Sequence, residues 1–293
     1  MTRCDLNLGF IGLGAIGRPM AANLCQAGFR LNVHTRSRNA ETAAELQGAR
    51  SCASPADAAK AVDILLICVS DDRAVETVLF GTDGAASTLR PGSVVVDCST
   101  IAPATAMACA KSLAQQGIHY LDAPVTGGTE GARAGTLTLL VGGESTALAS
   151  VRPALEVIGS TIHHFGPVGR GQQVKAVNQV LVAGSYAAVA EAMALGERLD
   201  LPMDQVVEAL KSGAAGSWAL NHRSAGMLAG NYPLGFRLAL HHKDLGIALE
   251  AAESVQLELP ISRIVQQLEA DLMQRGHGDE DVSVLHRLFD TKS

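Results

Sequence analysis

The sequence predicts an α/β domain followed by an all-helical domain, on three observations. Through residue 165, short runs rich in β-branched residues alternate with segments of helical periodicity, which is typical of a parallel sheet wrapped by helices. After about Val168 no further strand-like run occurs. A glycine motif at residues 12–17 directly follows the first predicted strand. The turn-rich segment 165–169 marks the boundary, which gives domains of residues 1–165 and 166–293.

Length and composition agree with a two-domain globular protein. The chain has 293 residues, of which 47% are apolar and 18% charged. A net charge of -6 and an aromatic content of 3% argue against a nucleic-acid partner. No signal-peptide pattern and no uninterrupted apolar stretch of about 18 residues is evident, so we expect a cytoplasmic protein without a membrane span. The six cysteines stand singly and predict free thiols.

Seven strands are predicted from the β-branched runs, and helices fill the intervals between them. The strands are expected at residues 6–11, 30–34, 63–69, 93–98, 118–122, 137–141 and 161–165. Ser54 followed by Pro55 indicates a helix start, and a second start is expected near Pro103. In the second domain, helical periodicity predicts helices at 236–253 and 260–275, followed by one short amphipathic turn.

The glycine motif favours a dinucleotide site in a Rossmann-type domain. A G-x-G-x-x-G turn between a strand and a helix lets the backbone approach a pyrophosphate, which then lies at the helix N-terminus. A purely structural glycine turn is the alternative. The predicted contacts are Gly12, Leu13, Gly14, Ala15, Ile16 and Gly17.

The end of the second predicted strand favours NADP(H) over NAD(H). The residues there are Thr35, Arg36, Ser37 and Arg38, and no acid occurs before Glu41. An acid at this position would bind the ribose 2'-hydroxyl, whereas arginine receives a 2'-phosphate. The alternative is that the arginines are ordinary solvated surface, which would leave the preference open.

Two later strand ends complete the predicted cofactor site. Val69 and Ser70 lie at the end of the third predicted strand, and Thr100 follows the fourth. A doubly wound sheet presents such loops at the carboxyl edge of its strands, so we expect them on the nicotinamide side. Thr100 is the better candidate of the three.

Lys175 is the candidate catalytic residue. It is the only formal charge between Gly171 and Glu191, in a stretch that otherwise predicts a long, mostly apolar helix. Burial lowers the pKa of a lysine and makes it a proton donor near neutral pH. Asn178 and Gln179 return to the same helical face and are candidates to orient the lysine or a small polar ligand. The alternative is a lysine that reaches water at the helix start.

A turn at Thr126, Gly127 and Gly128 is the candidate substrate site. A hydroxyl followed by paired glycines allows backbone N–H groups to approach a small anion such as a carboxylate. Taken alone, the glycines are explained equally well by a structural turn.

Four ordered motifs resemble the β-hydroxyacid dehydrogenase family across nearly the whole chain. They are GFIGLGAIGRPMAANLCQAGF, DAPVTGGTEGARAGTLTLLVGG, GPVGRGQQVKAVNQ and FRLALHHKDL. The resemblance implies that Lys175 is catalytic, that Thr126, Gly127 and Gly128 bind the substrate carboxylate, and that Asn178 or Gln179 orients the substrate. It also implies that Thr100 contacts the cofactor, that Lys243 contacts both cofactor and substrate, and that Asp244 belongs to the substrate site. Two departures are Thr126, where many members have serine, and Gln179, where many have a second asparagine.

The resemblance implies an enzyme that interconverts a small β-hydroxy acid and its aldehyde acid, of the 2-hydroxy-3-oxopropionate (tartronate semialdehyde) or 3-hydroxyisobutyrate type. An imine reductase of related fold and a non-catalytic dinucleotide-binding module remain alternatives. Without the family, Lys243 and Asp244 would be a plain surface ion pair, and the adjacent His241 and His242 would be surface or pocket-wall residues. No cluster of residues has metal-ligand spacing, so no metal is expected. The apolar helix after Val168 predicts a homodimer or homotetramer.

Overall fold

The computed structural model describes residues 6–37, 39–42 and 46–289, so Cys4 and Arg38 lie outside the described residues. The chain divides into two compact units, Met1–Lys175 and Ala176–Ser293. The division falls within a long helix, ten residues after the boundary predicted from turn residues.

A parallel sheet of six strands forms the centre of the first unit. Its spatial order is β3-β2-β1-β4-β5-β6. Because β1 lies between β2 and β4, the strand order reverses there, and this is the switch point of a doubly wound sheet. The strands are β1 (Asn7–Ile11), β2 (Arg30–His34), β3 (Arg50–Ser51), β4 (Ile64–Ile67), β5 (Val94–Asp97) and β6 (His119–Asp122).

Both faces of this sheet are apolar, as expected for parallel strands covered on two sides. Alternate residues of one strand enter different cores: Leu66 packs into one apolar cluster, whereas Leu65 and Ile67 pack into the other. Helices α1 (Gly17–Gln26) and α6 (Ser145–Ile158) contribute to the first cluster. Helices α2 (Pro55–Ala59), α3 (Asp72–Phe80) and α4 (Pro103–Ala114) contribute to the second. Ser54 caps α2 as predicted, because its side chain accepts a hydrogen bond from the Asp57 N–H.

The last two predicted strands do not extend the parallel sheet. They form a second sheet, β7-β8-β9, in which β7 (Val125–Thr126) pairs antiparallel with β8 (Leu137–Val141), and β8 pairs parallel with β9 (Gly159–His164). Only Ala123 and Pro124 separate β6 from β7, which is too short for the crossover that a parallel neighbour requires. Helix α5 (Gly128–Ala134) connects β7 to β8. The two-residue strands β3 and β7 were not predicted.

The second unit consists of helices and their connecting segments and has no β-strand among its described residues, which confirms the predicted all-α domain. Helices α9, α10 and α11, a final 3₁₀ segment (Val282–Phe289) and the later part of α7 enclose one apolar core. The helices are α7 (Arg170–Arg198), which begins in the first unit, α8 (Met203–Leu210), α9 (Trp218–Leu228), α10 (Leu238–Ser254) and α11 (Pro260–Gln274).

Helix α7 is unusually long and apolar. Among the described residues it is the helix that, by length and composition alone, could cross a membrane, with a mean hydropathy of 1.3 over its most apolar window. A core helix of a globular enzyme has the same properties, and 44% of that window is buried within this chain. The cysteines within the described residues are free thiols, as expected.

Candidate active site

The glycine turn after β1 has the geometry of a dinucleotide site. Gly12 has a φ of 99°, and a Cβ there would lie 2.2 Å from the Cys68 carbonyl oxygen. A Cβ at Gly17 would lie 2.0 Å from the Gly12 oxygen, so this glycine permits close packing of α1 on the turn. At Gly14, by contrast, a Cβ would meet no protein atom within 4 Å. Gly14 therefore faces open space where a pyrophosphate can approach, and the turn fits the cofactor.

The start of α1 is available to an anion. Ile16 at the N-cap position makes no side-chain cap, and the first turn of α1 contains no acid. Unsatisfied N–H groups and the positive end of the helix dipole favour a phosphate at such a position.

The other predicted cofactor residues follow the strands on either side of this turn. Thr35, Arg36 and Ser37 follow β2, Val69 and Ser70 follow β4, and Thr100 lies in the loop after β5. Strands β2, β1, β4 and β5 are parallel neighbours, so their carboxyl ends form one edge of the sheet. Two hydrogen bonds tie these loops together: the Leu13 N–H donates to Thr35 Oγ1 at 3.4 Å, and the Val69 N–H donates to Ser99 Oγ at 2.9 Å.

Glu41, the first acid after β2, is engaged by the protein itself. It is buried, and its Oε1 accepts a hydrogen bond from the Thr35 N–H at 2.9 Å. Its Oε2 accepts one from Ser51 Oγ at 2.5 Å. The carboxylate thus supports the loop after β2, while the Arg36 side chain is exposed.

One interpretation of the sequence places the Lys175 side chain in water at the helix start, and the structure contradicts it. Lys175 is 7% exposed, and its Nζ donates a hydrogen bond to the Val125 carbonyl oxygen at 2.9 Å. Val125 immediately precedes the predicted carboxylate turn. The ammonium therefore lies beside that turn, although the two are 50 residues apart in the chain.

The turn itself consists of the end of β7 and the start of α5. Thr126 is the last residue of β7, and Gly127 and Gly128 have φ values of 125° and 63°. Residues other than glycine rarely adopt these backbone conformations. The paired glycines therefore permit the shape of the turn as well as access to its backbone.

Two hydrogen bonds and one ion pair link four predicted substrate residues in the second unit. Asn178 Nδ2 donates to Gln179 Oε1 at 2.7 Å, and Gln179 Nε2 donates to Asp244 Oδ2 at 2.6 Å. Lys243 Nζ lies 2.9 Å from the other oxygen of Asp244. Because both ends of the Gln179 amide are occupied, Asn178 is the amide better placed to reach a ligand. Asp244 is buried, so this is not a plain surface ion pair.

Two buried acids, which sequence reasoning did not assign to the site, lie at neighbouring strand ends. Asp97 of β5 pairs in register with Asp122 of β6, and burial raises the pKa of each to about 6. Asp97 accepts hydrogen bonds from the Tyr120 hydroxyl at 2.8 Å and the Ser99 N–H at 2.9 Å. Gln172 also belongs to this group: its Nε2 donates to the Ser99 carbonyl at 2.8 Å, and its Oε1 accepts from the Ile101 N–H at 3.2 Å. An acid at the end of a buried strand is the one local signal that could have indicated Asp97 and Asp122.

His241 is not a surface residue. It is fully buried, and its Nδ1 lies 2.5 Å from Glu269 Oε1 of α11, which was too distant in sequence to be recognised as its partner. Among the described residues no group of three or more His, Cys, Asp or Glu could hold a metal ion.

Two family models match the chain in sequence. The NAD-binding domain of 6-phosphogluconate dehydrogenase matches residues 7–166, and the NAD-binding domain of NADP-dependent 3-hydroxyisobutyrate dehydrogenase matches residues 169–289. The 2-hydroxy-3-oxopropionate reductase of Escherichia coli is 38% identical over 280 residues, covering 96% of this chain and 96% of that protein. The chain belongs to the β-hydroxyacid dehydrogenase family.

Two further similarities bear on the family assignment. The NAD-dependent L-serine dehydrogenase of Pseudomonas aeruginosa is 38% identical over 290 residues and covers 97% of each chain. The crystal structure of 3-hydroxyisobutyrate dehydrogenase from Salmonella typhimurium has a TM-score of 0.89 and 31% identity, covering 97% of this chain and 100% of that one. This β-hydroxyacid dehydrogenase is therefore an NAD(P)-binding oxidoreductase that acts on hydroxyl groups.

The raised pKa of Asp97 predicts a pH-dependent contribution to stability. Because burial raises its pKa from 3.8 to about 6, the folded state retains the proton that the unfolded state releases. The stabilisation that this provides is present below about pH 4 and is lost as the pH rises through about 6. Relative to wild type, Asp97→Asn should therefore gain on the order of 1 to 3 kcal/mol in free energy of unfolding between about pH 4.5 and pH 7. Urea unfolding at both pH values measures this gain.

Asp57→Asn is the matched control. A hydrogen bond from the Ala53 N–H, followed by one from Arg50, lowers the pKa of Asp57, so its contribution is lost only at more acidic pH. Its difference from wild type should stay constant over the same interval. An Asp97→Asn difference that is equally constant would contradict the prediction.

Proposed function

We propose that this enzyme interconverts a small β-hydroxy acid and its aldehyde acid with NADP(H), using Lys175 as general acid and base. The substrate is of the 2-hydroxy-3-oxopropionate (tartronate semialdehyde) or 3-hydroxyisobutyrate type. The dehydrogenase and reductase activities of the relatives support the reaction class. The cytoplasm as its location, and the absence of nucleic-acid and membrane partners, remain part of the proposal.

The hydrogen bond between Lys175 Nζ and the Val125 oxygen is the observation that carries this proposal. It holds the ammonium nitrogen 2.9 Å from the carbonyl oxygen of the residue that precedes the Thr126-Gly127-Gly128 turn. A carboxylate held by the backbone N–H groups of the turn and the Thr126 hydroxyl would place the rest of a three- or four-carbon acid within reach of the lysine.

Each residue has a distinct part in the proposed reaction. When bound, the nicotinamide cofactor supplies or accepts the hydride. Lys175 donates a proton to the carbonyl oxygen during reduction and accepts it from the alcohol during oxidation. Asn178, three residues after Lys175 on α7, orients the reacting oxygen, and Gln179 holds Asn178 in place through Asp244. Lys243, which forms an ion pair with Asp244, would contact both cofactor and substrate.

Substitution of Lys175 tests this assignment. Lys175→Ala should reduce kcat by about 100-fold to 10,000-fold, because positioned acid–base catalysis contributes that much. The dissociation constant for NADPH should stay close to wild type. Steady-state kinetics with 2-hydroxy-3-oxopropionate and with 3-hydroxyisobutyrate, together with fluorescence titration of NADPH, measure both quantities.

Lys111 is an exposed lysine on α4, so Lys111→Ala is the control and should retain full activity. Wild-type turnover of a cyclic imine in preference to either acid would favour an imine reductase. NADPH binding without turnover of any compound would favour a non-catalytic module. Full activity in Lys175→Ala would refute the role of the lysine.

The loop after β2 supports NADP(H) over NAD(H). An NAD enzyme needs a carboxylate free to bind the ribose 2'-hydroxyl. Here both oxygens of Glu41 accept hydrogen bonds from Thr35 and Ser51, and the exposed Arg36 stands in the loop that would receive a 2'-phosphate. Arginine suits a phosphate because its guanidinium donates two parallel hydrogen bonds.

Arg36→Ala should therefore lower the ratio of kcat/KM with NADPH to kcat/KM with NADH by about ten-fold or more, since a charged hydrogen bond contributes roughly 1.5 to 3 kcal/mol. Arg30→Ala, an exposed arginine at the opposite end of the same strand, should leave the ratio unchanged. Equal ratios in wild type and Arg36→Ala would remove the argument for the 2'-phosphate.

One face of α7 supports a homodimer or homotetramer. Val177, Leu181 and Leu195 are 63%, 69% and 60% exposed, and Ala188 and Ala192 are exposed between them. At 100° per residue these five positions lie within an arc of about 60°, so they form one apolar stripe. A contiguous exposed apolar stripe marks an interaction surface, and we assign it to a second copy of this chain.

Leu181→Glu should place a charge within this stripe and convert the oligomer to a monomer at micromolar concentration. Sedimentation velocity measures the change. Leu210→Glu, which alters an exposed leucine on α8, is the control and should not dissociate the oligomer. A wild-type protein that sediments as a monomer would refute the assignment.

A further inference from the structure

Asp122 connects the end of β6 to the start of the helix that carries Lys175. It is fully buried. Its Oδ1 accepts a hydrogen bond from the Gly169 N–H at 2.8 Å, and its Oδ2 accepts one from the Gln172 N–H at 2.9 Å. These amides belong to the first turn of α7 and the residue before it, where helical N–H groups have no partner within the helix. The carboxylate is thus a non-local cap, 47 and 50 residues away in the chain.

The same short segment contacts α7 at a second point. Val125 lies three residues after Asp122, and its carbonyl oxygen accepts the hydrogen bond from Lys175 Nζ. Lys175 lies three residues after Gln172, close to one helical turn. Residues 122–125 therefore hold both the backbone at the start of α7 and the side-chain tip one turn later.

The helix start has little freedom to shift against this segment. A Cβ at Gly171 would lie 2.2 Å from the Leu140 oxygen and 2.8 Å from the Asp122 oxygen. The Gln172 side chain attaches the same turn to the loop that carries Thr100, through Ser99 and Ile101. The Asp122 carboxylate thus accepts its two amides where the backbone of the first turn is packed most closely.

Stability alone does not account for a carboxylate at this position. Burial raises the pKa of Asp122 to about 6, so keeping it ionised near neutral pH costs free energy. Even a complete buried ion pair can often be replaced by apolar residues with no loss of stability. A buried charge that lies one turn from a reactive side chain is instead expected where geometry matters more than stability.

We propose that Asp122 is a positioning residue for Lys175. By accepting the Gly169 and Gln172 amides it sets the first turn of α7, and so holds the lysine Nζ on the Val125 oxygen beside the Thr126–Gly128 turn. The consequence for turnover rests on the proposed function of Lys175, whereas the consequence for its position does not.

Asp122→Asn tests both consequences, because it keeps the shape of the side chain but turns one acceptor into a donor that faces an amide N–H. Labelling of Lys175 by trinitrobenzenesulfonate, followed by peptide mass spectrometry, reports its accessibility without any assay of activity. Its labelling rate relative to that of Lys111 should rise several-fold above wild type. In the full-length enzyme kcat should fall by about 10-fold to 100-fold, since a displacement near 1 Å costs about that much. The dissociation constant for NADPH should change less than two-fold.

Asp281→Asn is the matched control. Asp281 is also fully buried and accepts three backbone amides, those of Gly235, Phe236 and Ser283. This variant should lose stability on urea unfolding but keep the wild-type labelling of Lys175 and the wild-type kcat. An equal rise of labelling in both variants would reflect general loosening and would overturn the proposal.

The remaining outcomes separate the two hypotheses. Unchanged labelling in Asp122→Asn overturns the positioning role, whatever happens to kcat. Raised labelling with unchanged kcat supports the positioning role and refutes the acid–base role of Lys175. If Asp122→Asn does not fold, Asp122→Ser, which keeps an oxygen typical of helix caps, is judged by the same readouts. Unfolding of both variants would assign Asp122 to folding alone and overturn the proposal.

Discussion

Attachment of the first turn of α7 to the ends of β5 and β6 is the constraint on which the candidate site depends. Asp122 accepts two amides of this region, and the Gln172 side chain reaches the loop after β5. The absence of a side chain at Gly171 permits the contact, since a Cβ would collide with the Leu140 oxygen. With the turn attached in this way, Lys175 projects from the next turn onto the Val125 oxygen. The orientation of one side chain therefore follows from the packing of a sheet edge.

This arrangement is electrostatically unfavourable in part. Asp97 and Asp122 are buried on adjacent strands, and desolvation raises the pKa of both, with mutual repulsion adding to the shift of Asp97. Hydrogen bonds from Tyr120, Ser99, Gly169 and Gln172 offset the cost without removing it. The large apolar cores on the two faces of the sheet supply the stability that tolerates such groups. Local destabilisation at a carboxyl edge is what a catalytic scaffold of this class is expected to show.

Most of the fold was predictable because its signals are local. The sequence predicts five of the six strands of the parallel sheet, each within two residues at either end, because short apolar runs that are rich in β-branched residues and bounded by turns favour buried strands. The glycine turn is also predictable, because its motif lies within six consecutive residues. The second sheet was not, because β7 has two residues and its pairing with β8 depends on a short link after β6 that no periodicity reveals. The sequence predicts a surface or pocket-wall position for His241, and this is wrong because its partner Glu269 is 28 residues away on another helix.

The residues of the candidate site likewise fall into those that local sequence indicates and contacts that only the tertiary structure forms. Residue pattern marks Lys175, the Thr126–Gly128 turn and the Gly12–Gly17 motif as candidates, because an isolated charge, paired glycines and a dinucleotide fingerprint are visible in a few adjacent positions. The roles of Lys175 and the turn are implied by the family resemblance. Folding in three dimensions was needed to bring Lys175 Nζ to the Val125 oxygen, to engage both ends of the Gln179 amide and to commit Glu41 to Thr35 and Ser51. These contacts join atoms between 1 and 65 residues apart, and side-chain rotamers and backbone packing together bring those atoms into contact. The residue types determine which chemistry is available to the chain, whereas packing in the tertiary structure determines which atoms are in contact.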